Sequence, residues 1–174
     1  MMRRRAMLAL GIGTAVAGCG FKPVYMRTAS GNAGAAQRDL AAVDVAIIPD
    51  RPGQLLRQAL QDRLEGSGSG EQRRFELRVS YWIAGEGIAI EPSTLSSRTR
   101  LIGNASWTLY AEDPGRTVLV NGGARAVDGL NTFDAQFFGA DLETEAVQRR
   151  IADAVADQIT TQLAIYFRKR AGSA

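Results

Sequence analysis

Phe75-Glu76-Leu77-Arg78-Val79-Ser80-Tyr81-Trp82-Ile83 alternates apolar and polar or exposed-type residues with a period of two, the pattern of a strand with one face in a core. Phe75, Leu77, Val79, Tyr81 and Ile83 then point inward, which puts Arg74, Glu76 and Arg78 together on the opposite side. A second strand is read from about Thr99 to Tyr110, with Leu101, Ala105, Trp107 and Leu109 on one face. Glu112-Asp113-Pro114-Gly115 has the turn chemistry to join it to a third strand, from Thr117 to about Val127. Three successive strands joined this way form an antiparallel meander.

Upstream, Val43 to Ile48 is a short apolar run ended by Pro49-Asp50-Arg51-Pro52-Gly53, read as a strand and a turn. Leu55, Leu56, Ala59, Leu60 and Leu64 recur at helical spacing over Gln54 to Leu64. The Gly/Ser stretch from Glu65 to Glu71 closes that helix as a surface loop. It lacks the Gly-Lys-Ser/Thr ending that a phosphate-binding loop needs. Downstream, a long amphipathic helix begins near Ala140, with Val147, Ile151, Val155, Ile159 and Leu163 every four residues until Tyr166-Phe167. Asp141, Glu143 and Glu145 open it and Arg168-Lys169-Arg170 close it, as the helix dipole prefers. The order β-α-β-β-β-α predicts an α+β fold over residues 43–170: a two-layer sandwich of one four-stranded, mostly antiparallel sheet packed by two helices. Residues 171–174 are expected to be a disordered tail, and Gly85-Glu86-Gly87 to Pro92-Ser93-Thr94 an irregular connection.

The N-terminus reads as an export signal. Arg3, Arg4 and Arg5 precede an apolar run of 12 residues, Ala6 to Ala17, well short of the roughly 20 that span a bilayer as a helix. Val16-Ala17-Gly18-Cys19 resembles the box at which bacterial lipoproteins are cut before the cysteine and acylated on it. Residues 1–18 are thus a signal peptide cleaved after Gly18, Cys19 is the lipidated residue, and 19–42, rich in Gly, Ala, Ser and Asn, is a flexible linker. Each buried acyl methylene contributes about 0.8 kcal/mol, so more than one chain gives stable membrane anchoring. Gly20 follows the cysteine where inner-membrane lipoproteins often carry aspartate, a resemblance that favours the outer membrane.

Composition removes whole classes of function. The chain has 174 residues with no histidine and one cysteine, which excludes His-based triads, Cys/His zinc clusters and an intramolecular disulfide. Of 21 basic residues three belong to the signal, leaving 18 against 18 acidic ones, so the mature chain is neutral and the electrostatic basis for nucleic-acid binding disappears. No carboxylate pair has a spacing that fixes both groups across a cleft, and the two lysines, Lys22 and Lys169, sit near the chain ends. Neither an enzyme, a metal nor a cofactor is expected.

Cys19-Gly20-Phe21-Lys22-Pro23-Val24-Tyr25, then Arg100-Leu101 through Ala105-Ser106-Trp107-Thr108-Leu109-Tyr110 to the Asp113-Pro114-Gly115 turn, then Phe133 to Phe138 and the helix carrying Arg149, Ile151, Ala152 and Gln162-Leu163, resemble the opening, central hairpin and ending of the LptE family. These are lipopolysaccharide-assembly lipoproteins of the outer membrane, and the resemblance is to an alphaproteobacterial form. It implies a domain seated in the lumen of an LptD-like β-barrel, a plug-and-barrel complex through which lipopolysaccharide reaches the outer leaflet. An auxiliary lipoprotein of a phospholipid-transport system is the alternative.

Lipopolysaccharide presents phosphates, which planar guanidinium groups hold through charge-assisted, bidentate hydrogen bonds. Arg74, Arg78, Arg98 and Arg100, on or beside the strands, are the candidate glycolipid contacts, with Arg74 and Arg78 as a strand-borne patch. The alternative is a solvated sheet face on which Arg78 pairs with a neighbouring glutamate. Trp82, Tyr110, Phe137 and Phe138 include aromatics that the inward pattern does not use, and Trp82, Phe137 and Phe138 are the candidate partner contacts.

Overall fold

A computed structural model describes residues 34–64, 72–88, 96–133 and 137–172, excluding the side chains of 88, 96–98, 130–133 and 137–141. The elements are α1 (Ala35–Ala41), β1 (Val43–Val45), α2 (Asp50–Leu64), β2 (Phe75–Ile88), β3 (Ser96–Ala111), β4 (Val118–Phe133) and α3 (Phe137–Gly172). The four strands form one sheet in the order β1-β2-β3-β4, with β1 parallel to β2 and the rest antiparallel. Helices cover one face of this sheet, giving the expected α+β sandwich. The expected signal peptide, Cys19 and the Gly/Ser loop lie outside the described residues.

Several features differ from the sequence reading, among them Asp50 to Gly53, read as a turn, which form the first residues of α2. Ala35–Ala41, placed in the linker, is helical, with Leu40 buried and Arg74 donating to Asp39 at 2.7 Å. Its small residues read as a spacer, yet Leu40 and Ala42 have a core to enter once α3 is in place. Gly85 to Ile88 is strand and not irregular connection, because Glu86 and Gly87 pair with Arg100 and Thr99. Strand pairing on both sides of β3 overrides the turn preference of Gly-Glu-Gly. For the same reason β4 runs on to Phe133, while α3 reaches Gly172 and so includes the first residues of the expected tail.

Periodicity placed the core correctly. Phe75, Leu77 and Val79 of β2, Ala105, Trp107 and Leu109 of β3, and Val147, Ile151, Val155, Ile159 and Leu163 of α3 are all buried in one cluster. At 36 residues α3 is about 54 Å long, close to the roughly 53 Å of a 16-residue strand, so one helix can follow the hairpin of β3 and β4 along its length. Two strand glycines set its distance. A Cβ on Gly103 would overlap the side chain of Ile151, and one on Gly122 would lie 2.6 Å from Trp107 and 2.7 Å from Gln162.

Tyr81 lies inward beside Gly103, and its hydroxyl is buried with no hydrogen-bond partner among the described residues. Burial pushes its pKa from the ordinary 10.0 to about 12. Above its ordinary value the unfolded chain loses this proton before the folded one, so the group's contribution is complete below pH 10.0 and is lost as pH rises toward 12. Tyr81→Phe is expected to remove that alkaline loss and to raise stability near neutral pH by about 1 kcal/mol, since it deletes an unpartnered buried hydroxyl. Urea unfolding near neutrality and at about pH 11 checks both effects.

Candidate functional site

The face of the sheet turned away from the helices carries the second side-chain set of every strand. Across β2, β3 and β4 its rows are Arg78–Thr108–Asn121, Ser80–Ser106–Gly123, Trp82–Asn104–Arg125, Ala84–Ile102–Val127 and Glu86–Arg100–Gly129. At its centre is an apolar island. Trp82 and Val127 are 53% and 54% exposed, whereas Ile102 between Ala84 and Val127 is buried although it stands apart from the main core. A sheet face that carries solvent-facing tryptophan and valine beside a buried isoleucine is an amphipathic contact surface, not a cleft.

Two arginines bracket this island along the strands. Arg100 lies two residues from Ile102 on β3, and Arg125 lies two residues from Val127 on β4, on the opposite side. Arg100 is half exposed and only 3.9 Å from Glu86, a loose pairing that solvent screens. Arg125 is exposed and in no ion pair among the described residues. Its main chain is fixed instead: Gln158 of α3 accepts its N–H at 3.1 Å and donates to its carbonyl at 2.9 Å. The sequence reading did not reach Arg125. Extending the period-two face assignment from β3 into β4 would have found it.

The other candidates fall in different places. Arg78 shares this face, but Glu76 lies 3.3 Å from its Nε and its guanidinium stacks on Tyr110 at 5.3 Å, the neighbouring-glutamate arrangement weighed above. Arg74 precedes β2, is bound to Asp39 of α1 and lies over the Phe75 ring at 5.4 Å, so Arg74 and Arg78 do not form a joint patch. Glu76, between them, is also claimed by Arg116 at 3.2 Å. Arg98 occupies the register position between Ile88 and Asn131, and Phe137 and Phe138 begin α3; their side chains lie outside the description, as does Cys19.

Near the turn, Asp113 is held below the usual carboxylate range by the Thr117 N–H and then by its hydroxyl, which locks the hairpin end of β3 and β4. On the covered face, desolvation of Asp128 is outweighed by the hydrogen bond and charge of Arg150 and by the Gly129 N–H, so its pKa is also lowered. Both carboxylates serve structure. Among the described residues no group of acidic or cysteine side chains is placed to hold a metal, and no helix is long and apolar enough to cross a membrane.

A two-layer α+β domain with its chemistry spread over an open sheet face has the geometry of a binding module. The family model for lipopolysaccharide-assembly, LptE, matches residues 40–163, and the chain belongs to this family of non-enzymatic outer-membrane lipoproteins that serve lipopolysaccharide assembly. Among solved structures, a predicted lipoprotein of Caulobacter crescentus aligns with a TM-score of 0.62 at 19% identity, over 76% of this chain and 96% of that one. Rare lipoprotein B of Shewanella oneidensis aligns with a TM-score of 0.50 at 13% identity, over 70% and 91% of the two chains. At these identities the structures establish a shared fold. No curated protein sequence matches the chain.

Proposed function

We propose that this chain is anchored to the outer membrane through acylated Cys19, sits as a plug in an LptD-like β-barrel, and contacts lipopolysaccharide through the open face of its sheet. The observation that carries the reading is the apolar island of Trp82, Ile102 and Val127 between Arg100 and Arg125. Acyl or partner side chains suit the island, and phosphates suit guanidinium groups that internal ion pairs leave available. The contacts of Arg78 with Glu76 and Tyr110 assign it to the solvated sheet face, and those of Arg74 assign it to holding α1. Family membership favours lipopolysaccharide over the phospholipid-transport alternative.

Arg100→Glu combined with Arg125→Glu is expected to weaken lipopolysaccharide binding about tenfold or more, the scale of losing one charge-assisted contact. Both side chains are solvent-facing, so the unfolding midpoint should move little. Binding of the purified double variant to labelled lipopolysaccharide, compared with the parent, decides the matter; equal affinity removes the sheet face from glycolipid contact. Co-purification of a β-barrel with the C-terminally tagged chain from native membranes tests the plug separately.

A further inference from the structure

β1 pairs with β2 only from Phe75 to Leu77, and the Ala46 N–H closes that stretch by donating to the Leu77 carbonyl at 3.0 Å. The Leu77 main chain therefore faces β1, and in an alternating ladder Val79, Tyr81, Ile83, Gly85 and Gly87 turn their N–H and C=O groups the same way. Even-numbered residues of β2 bond to β3. Past Ala46 no strand among the described residues meets this outward row.

The two edges of the sheet are treated differently. On β4 outward groups are covered by α3: Gln158 takes both main-chain groups of Arg125, and Gln162 donates to the Gly123 carbonyl at 3.0 Å. On β2 nothing comparable is present from Val79 to Gly87 among the described residues. That stretch contains no lysine, no proline and no bulge, and Glu86 is its single charge. Such devices are how monomeric proteins keep edges from pairing, and their absence marks a pairing site. Ile47, 85% exposed, follows immediately where β1 leaves this edge, and Trp82 projects from the open face beside it, so the edge is continuous with the apolar island.

We infer that the β2 edge from Val79 to Gly87 takes up an extended polypeptide segment of the barrel partner as a fifth strand of the sheet. The inference rests on the partner-binding reading above. Only a peptide main chain repeats donors and acceptors at the spacing of this row, which a glycolipid does not. The side chains specify the segment further: an apolar residue beside Trp82 and a basic residue beside Glu86.

Proline at position 85 provides the test. Gly85 has an N–H directed outward, not toward β3, and a Cβ there meets Leu101 at an ordinary 3.5 Å, so Gly85→Pro removes an edge donor while sparing the internal ladder. In tagged complexes extracted from native membranes, Gly85→Pro is expected to lower barrel recovery at least tenfold relative to the parent chain. Amide hydrogen exchange on the parent supplies an independent measurement: Tyr81, Ile83, Gly85 and Gly87 should be protected in the complex and exchange in the free chain, with even-numbered neighbours protected in both. Equal recovery of the barrel with Gly85→Pro, or odd-numbered amides that exchange as fast in the complex as outside it, overturns edge pairing and leaves the plug reading standing. Failure of the parent chain to recover any barrel overturns both.

Discussion

Phe167→Ala is expected to cost about 3–5 kcal/mol of folding stability, among the larger effects any single side chain of this domain can produce. Phe167 is fully buried, and its ring meets that of Phe75 at 5.0 Å and that of Tyr166 at 5.3 Å. It joins the end of α3 to the start of β2, where Arg74 and Arg170 approach the Phe75 ring from outside at 5.4 and 5.7 Å. The cavity left by alanine would lie beneath those contacts, with helix on one side and strand on the other, so little can collapse into it. A fall in the urea midpoint at unchanged slope is the expected signature. Ile165→Ala, two residues away on a 39% exposed side chain, should cost far less, since alanine also favours the helix; equal losses at the two positions would show that burial of Phe167 does not set the effect.

Gly103→Val is expected to destabilise the fold by about 3 kcal/mol or more, from overpacking at a point where both neighbours are held. A Cβ there overlaps Ile151, which is 1% exposed, and falls 3.0 Å from the Tyr81 hydroxyl and 3.2 Å from its ring. Strand propensity alone predicts the opposite sign, since valine is favoured in strands and glycine is not. Relief therefore requires α3 to lift from the sheet. Shortening the obstacle should rescue it: Ile151→Ala in the Gly103→Val background is expected to recover part of the loss, whereas alanine at Ile151 alone should destabilise. Additive losses in that double-mutant cycle would place the strain elsewhere than in this contact.

Much of the architecture was legible because it depends on periodicity. The alternation from Phe75 to Ile83 and the four-residue recurrence from Val147 to Leu163 each report burial on one face, and burial is what the sheet and α3 share. The Asp113-Pro114-Gly115 turn was legible from chain chemistry alone, although the structure adds Arg116 at φ 47° and the clasp between Asp113 and Thr117. Helix α1 was hidden because seven residues with one large apolar side chain carry no usable period. The extent of β2 beyond Ile83 was hidden because two glycines look like a turn until β3 is laid beside them.

For the candidate surface the division is sharper. Sequence placed Trp82, Arg78 and Arg100 on one side of their strands, since parity along a strand is local. It weighed a neighbouring glutamate for Arg78, but could not tell that Tyr110 would stack against Arg78, that Asp39 would draw Arg74 away, or that Arg125 would lie in the same row as Trp82. The contacts with Tyr110 and Asp39 and the placing of Arg125 join residues more than thirty positions apart, through strand register and the packing of α1. By itself the sequence determined the main core positions, the turn at Asp113-Pro114-Gly115, and that histidine chemistry and an intramolecular disulfide are absent, because these follow from composition and local pattern. The tertiary structure alone decided, among the described residues, which cations remain available and which sheet edge stays open, because both depend on what α1, α3 and the neighbouring strands cover.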